Sequence, residues 1–145
     1  MWNLDKLMIQ ALKKESWIEA LSLSYTLIEI ELRFLLSSSA GKSRIPIPLE
    51  KIYKQKFLMD LANLAKDNIF IDESLWAKIQ QFNEIRRKAI HRLAQCQISY
   101  EDLKEPALKS HEIMGDIQGC CLKLEFGSVE GCETWKNVKI NSAKP

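Results

Sequence analysis

An arginine, four residues and a histidine, Arg86 to His91, lie within Phe82-Asn83-Glu84-Ile85-Arg86-Arg87-Lys88-Ala89-Ile90-His91. These two side chains suit a phosphodiester. Cleaving RNA without a metal takes a base for the 2′-hydroxyl, a cation for the charge growing on the phosphoryl oxygens and an acid for the leaving group. An imidazole does acid or base work near neutral pH, and a guanidinium fork grips phosphate through two parallel hydrogen bonds. Arg87, Lys88 and Arg92 add positive charge for holding RNA. One such pair is incomplete for the reaction. A two-fold dimer that set two of these helices face to face would double the groups and line a basic groove.

Helix geometry qualifies the pairing. Positions five apart are about 140° apart on a regular helix, so Arg87, not Arg86, shares a face with His91. Arg86 must reach round with its long stem, or the two must act across a dimer axis. Arg86 is also misplaced by type. Leu75, Ile79, Phe82, Ala89, Ile90 and Leu93 gather on one side of the wound segment, and Arg86 falls among them. A guanidinium in such a place needs an anion to meet it. Glu31 is equally misplaced, between two apolar edges of an earlier helix and close to Ser24 and Ala20. An Arg86–Glu31 bridge fixing the register of two helices is one reading, and a functional arginine supported by that acid is another. The two are compatible.

The elements that position these residues read as helices. Leu4 to Leu12 has apolar residues at helical spacing, and Ser16-Trp17-Ile18-Glu19 fits a capping box that opens a helix to about Leu36. Its apolar coverage is wide, which marks it as central, with Glu19, Ser22, Thr26, Glu29 and Arg33 as its polar strip. Pro46 and Pro48 keep the following loop non-helical until its end, where Pro48 can open a helix. That second main helix runs from Leu49 to about Lys66 with Ile52, Tyr53, Phe57, Leu58, Leu61 and Leu64 facing inward. Asp72 caps the next, which carries Arg86 and His91 to about Ala94. Ser99 caps a turn meeting Pro106, and a last helix covers Ala107 to about Phe126, interrupted in pattern by Gly115 and Gly119. The expected architecture is all-α, an up-and-down bundle of four to five helices over residues 1–126, with 127–145 as a C-terminal tail, loose or docked through Trp135, Val138 and Ile140. Trp17 and Trp76 are expected in the core.

The bulk numbers exclude other classes. A chain of 145 residues, 46% hydrophobic and 28% charged, is one ordinary globular domain. Its net charge of +2 does not by itself advertise a nucleic-acid binder, so any basic patch is local. Cys96, Cys120, Cys121 and Cys132 have no metal-ligand spacing and read as reduced thiols of a cytoplasmic protein, with no metal or cofactor expected. The N-terminal residues lack a signal-peptide pattern, and Glu29, Glu31 and Arg33 interrupt the richest apolar run, so no membrane association is expected. His111 is read as structural.

The segment from Phe82 to His91, near the end of the third long helix and after a helix ending Ile28-Glu29-Ile30-Glu31-Leu32-Arg33-Phe34-Leu35-Leu36, resembles HEPN domains. Their signature is an arginine, four to six residues and a histidine. The helix pattern is similar over about Trp17 to Phe126; only the Arg86–His91 segment is motif-like. The resemblance implies a HEPN-like all-α bundle that dimerises through the Arg–His helices, with Arg86 and His91 as the catalytic pair. It also implies a metal-independent endoribonuclease of a toxin–antitoxin or abortive-infection system, or else a non-catalytic module binding RNA, a nucleotide or a protein. An antitoxin protein would then be a partner. Two positions depart from the pattern: Arg87 stands where asparagine or a small polar residue is usual after the arginine, and Leu93 stands where one subgroup carries a tyrosine.

Overall fold

Among the described residues, 2–38 and 47–126 of a computed structural model, the chain forms six α-helices and no strand. The helices are α1 (Trp2–Lys13), α2 (Trp17–Ser38), α3 (Leu49–Lys54), α4 (Leu58–Asp67), α5 (Glu73–Ala94) and α6 (Lys104–Phe126), with a 3₁₀ turn at Tyr100–Leu103 before α6. The all-helical expectation holds, but the described helices number six rather than four to five, and α2 and α6 run parallel where an up-and-down order was expected. The expected tail, 127–145, lies outside the described residues, as does most of the loop before Pro48.

Helix α2 is the centre, as its wide apolar coverage required. Leu21, Leu27, Ile28, Leu32, Leu35 and Leu36 are all buried, and α1, α3, α4, α5 and α6 each pack on it. Small buried residues, Ala20 and Ser24 on α2 with Ala107, Ser110 and Gly115 on α6, carry no bulk to hold those two backbones apart. Lys104 lies over Trp17, and Gln118 reaches Glu31, so α2 and α6 run side by side in the same direction. Lys78 reaches Glu112 and Asp116 while Trp76 reaches Asn63, which sets α5 antiparallel between α4 and α6. Helix α6 is continuous through Gly115 and Gly119 and starts at Lys104, earlier than expected. Pro106 fits its first turn because no intrahelical partner awaits a proline N–H there.

The single helix expected over Leu49–Lys66 is two. The break at Gln55–Phe57 is held from outside: Arg33 Nη1 donates to the Ile52 carbonyl at 2.9 Å and Nη2 to that of Gln55 at 2.7 Å. A charged donor satisfies carbonyls that a helix end leaves orphaned. Arg33 is therefore an anchor and not simply part of a solvated strip. Phe57 enters α4 in extended conformation (φ −115°, ψ 149°). In consequence Tyr53 and Phe57, expected inward, are 69% and 67% exposed. Trp17 is fully buried, whereas Trp76 is half-buried against Lys66, with its indole N–H on Asn63.

Helices α1, α4 and α5 all end on a non-glycine residue in the left-handed region: Glu15 (φ 59°), Ile69 (φ 62°) and Cys96 (φ 57°). In each the next amide bonds back to the helix, as in Ser16 N–H to Ala11 at 2.8 Å and Gln97 N–H to Arg92 at 2.8 Å. This is the Schellman ending usually built on glycine.

Candidate nucleic-acid interface

Helix α5 is fixed at its start by Asp72, whose Oδ1 accepts the Leu75 N–H at 2.8 Å. From there the sequence pattern sets the faces. Leu75, Ile79, Phe82 and Ala89 are buried, and Arg87, Lys88, His91 and Arg92 are exposed. Arg86 lies on the border, half-buried.

Its guanidinium sits 4.2 Å above the centre of the Tyr25 ring, and Nη2 donates a long bond, 3.4 Å, to Asn83 Oδ1. Tyr25 is held in turn. Its hydroxyl accepts the Leu58 N–H at 3.4 Å, and the charge of Glu29 reaches it. Burial lowers the Arg86 pKa below its ordinary value; the charges of Tyr25 and Glu29 oppose this, and neighbouring Arg87 adds to it. Burial likewise raises Tyr25. The Arg86 Nε is buried and has no partner among the described residues.

Arg86 and Glu31 form no ion pair. Glu31 is 4% exposed, and its Oε1 accepts from Gln118 Nε2 at 3.4 Å. Burial raises its pKa, the Gln118 bond opposes that, and the charge of Asp5 adds to it. The reason lies in the winding of α2. Residues two apart point about 200° apart, so the face that brings Tyr25 and Glu29 to Arg86 turns Glu31 toward α1 and α6. The acid whose charge reaches Arg86 is Glu29, assigned from sequence to the polar strip.

Arg86 and His91 nevertheless open onto one depression of about 820 Å³, shared with Arg87, Lys88, Ile90 and Glu84. Arg92 is exposed on the same helix but does not line it. The His91 side chain makes no hydrogen bond or ion pair among the described residues. A second depression, about 520 Å³, lies on the other side of Arg86 and Arg87, walled by Tyr25, Phe57, Met59 and Asn83. Sequence reasoning missed Tyr25, Asn83 and Phe57. The i, i+3 spacing of Asn83 and Arg86 was a legible signal. The Tyr25 contact spans 61 positions and left none.

Of the cysteines, Cys96 is exposed, Cys120 half-buried and Cys121 buried; Cys132 lies outside the described residues. Burial lowers the half-buried His111. Among the described residues no cluster of three or more His, Cys, Asp or Glu could hold a metal ion, and no helix is long and apolar enough to cross a membrane. Comparison with protein-family models, with curated proteins and with solved structures finds no match.

Proposed function

We propose that this chain is a HEPN-like, metal-independent endoribonuclease of a toxin–antitoxin or abortive-infection defence system, acting in the cytoplasm at a composite site formed by two copies. The observation that carries the reading is the shared groove. Arg86 and His91 line it together with Arg87 and Lys88, and Glu84 is the one acid among its lining residues. A substrate phosphate would lie on Arg86, which Tyr25 and Asn83 hold ready from beneath. Arg87, Lys88 and Arg92 would carry the flanking phosphates.

His91 is exposed and unencumbered, so its imidazole is free to take the proton of the 2′-hydroxyl. The 2′-oxygen then forms a bond to phosphorus as the bond to the leaving 5′-oxygen breaks. His91 of the partner subunit, entering protonated, gives that oxygen its proton. The products are a 2′,3′-cyclic phosphate and a 5′-hydroxyl. A second copy is required because one chain brings a single imidazole to the groove. An antitoxin would act by covering the same basic surface.

The test is cleavage of RNA by the purified chain in excess chelator. Cleavage by the parent, with loss of about a hundredfold or more in His91→Ala, supports the reading. Equal cleavage by both, or none by either, refutes it. A second reading, a non-catalytic HEPN-like module that binds RNA, a nucleotide or a protein, is favoured by the groove of a single chain, whose cations and lone imidazole suffice to hold an anion without cleaving it. RNA held by the parent and released intact would select it.

A further inference from the structure

The depression beside Tyr25 continues the His91 groove past Arg86 and Arg87, which line both. Its far wall is different in kind. Phe57, a residue 67% exposed, lines it with Leu58 and Met59 next to it in the chain and Asn83 on α5. The backbone is held on both sides of the ring. Arg33 holds the Ile52 and Gln55 carbonyls before it, and the Tyr25 hydroxyl holds the Leu58 amide after it. The ring stands at the edge of a groove whose mouth carries two guanidinium groups.

Single-stranded RNA is recognised by that combination: cations for the phosphate and an aromatic face for an unstacked base, with a side-chain amide to read its edge. Asn83 spends its Oδ1 on Arg86, which leaves its Nδ2 donors for a base acceptor. About 520 Å³ is ample for one base. We infer that the depression between Phe57 and Asn83 is a nucleobase subsite, holding the base of the RNA nucleotide adjoining the phosphate on Arg86. The inference rests on the ribonuclease reading of the neighbouring groove.

The test uses the full chain carrying His91→Ala, which leaves the depression beside Tyr25 untouched, and a 2′-O-methylated RNA tetramer, which cannot be cleaved through its 2′-oxygens. Phe57→Ala should weaken tetramer binding about tenfold, the size of one lost base–aromatic stack, and Phe57→Trp should retain it. Inorganic phosphate should bind both chains alike. Tetramer affinity indifferent to Phe57→Ala would overturn the subsite, as would a change of sedimentation coefficient in that variant, which would assign the ring to a contact between protein copies. Adenosine monophosphate binding as tightly as the tetramer, with the same dependence on Phe57, would reassign the subsite from RNA to a free nucleotide. The two readings fail separately. Cleavage without Phe57 dependence of binding removes only the subsite, and Phe57-dependent binding by a parent chain that never cleaves removes only the ribonuclease.

Discussion

Replacing Arg86 by methionine separates a residue kept for structure from one kept for chemistry. The guanidinium gains little where it lies. Stacking on the half-buried Tyr25 ring is worth about 1 kcal/mol, and the bond to Asn83, at 3.4 Å, adds about 0.5 kcal/mol at most. Against this, burying Nε without a partner costs on the order of 1–2 kcal/mol for a group only partly removed from water. Methionine keeps the apolar stem and leaves nothing unpaired. Arg86→Met should therefore change the unfolding free energy by about 1 kcal/mol or less. At this chain length that is a shift in melting temperature of roughly 3 °C in either direction. Had Arg86 been paired with Glu31 in the core, the same change would strand a buried carboxylate and cost about 3–5 kcal/mol. Urea unfolding followed by far-ultraviolet circular dichroism distinguishes the two easily. A loss of 3 kcal/mol or more would return Arg86 to a structural role. Retained stability with loss of RNA cleavage is the signature of a functional residue held at no benefit to the fold.

Glu31→Gln should stabilise the protein at pH 8 and make no difference at pH 4. Burial raises the folded-state pKa above the ordinary 4.5, so the folded chain holds this proton more tightly than the unfolded one. The resulting stability is complete below the unfolded value and lost as pH rises through the folded one; a lower melting temperature for the glutamine variant at pH 8 would contradict it. Arg33→Met removes two charged donors from the end of α3 and should cost about 2 kcal/mol, with faster amide exchange confined first to α3 and the start of α4. Sedimentation at micromolar concentration should give a dimer, and a monomer throughout would count against the composite site.

The bundle was legible in the sequence because helical periodicity and the Asp72 cap are local signals, and both α2 and α5 lie within two residues of where those signals set them. The break between α3 and α4 was not legible. Nothing within Leu49–Lys66 ends a helix at Gln55; the carbonyls are satisfied by Arg33, 19 and 22 positions away. The same local ground places Tyr53 and Phe57 in the core, and their exposure follows from that break. The candidate site divides in the same way. Arg86 could be seen as anomalous because its neighbours on the helix are apolar. Its true companion could not, since a wound helix shows which residues share a face but not which face of α2 meets α5. Charge type suggested Glu31, while geometry supplied the ring of Tyr25 and the charge of Glu29.

As proposed, Arg86 and His91 act together on an RNA phosphodiester through its 2′-hydroxyl. An RNA that the parent chain cleaves, remade with a single deoxynucleotide 5′ to the scissile phosphate, tests this directly. The all-ribose strand should yield a 2′,3′-cyclic phosphate end and the deoxy position should resist cleavage, with His91→Ala inactive on both. Cleavage at the deoxy position at an undiminished rate, or a product lacking the cyclic phosphate, would contradict it.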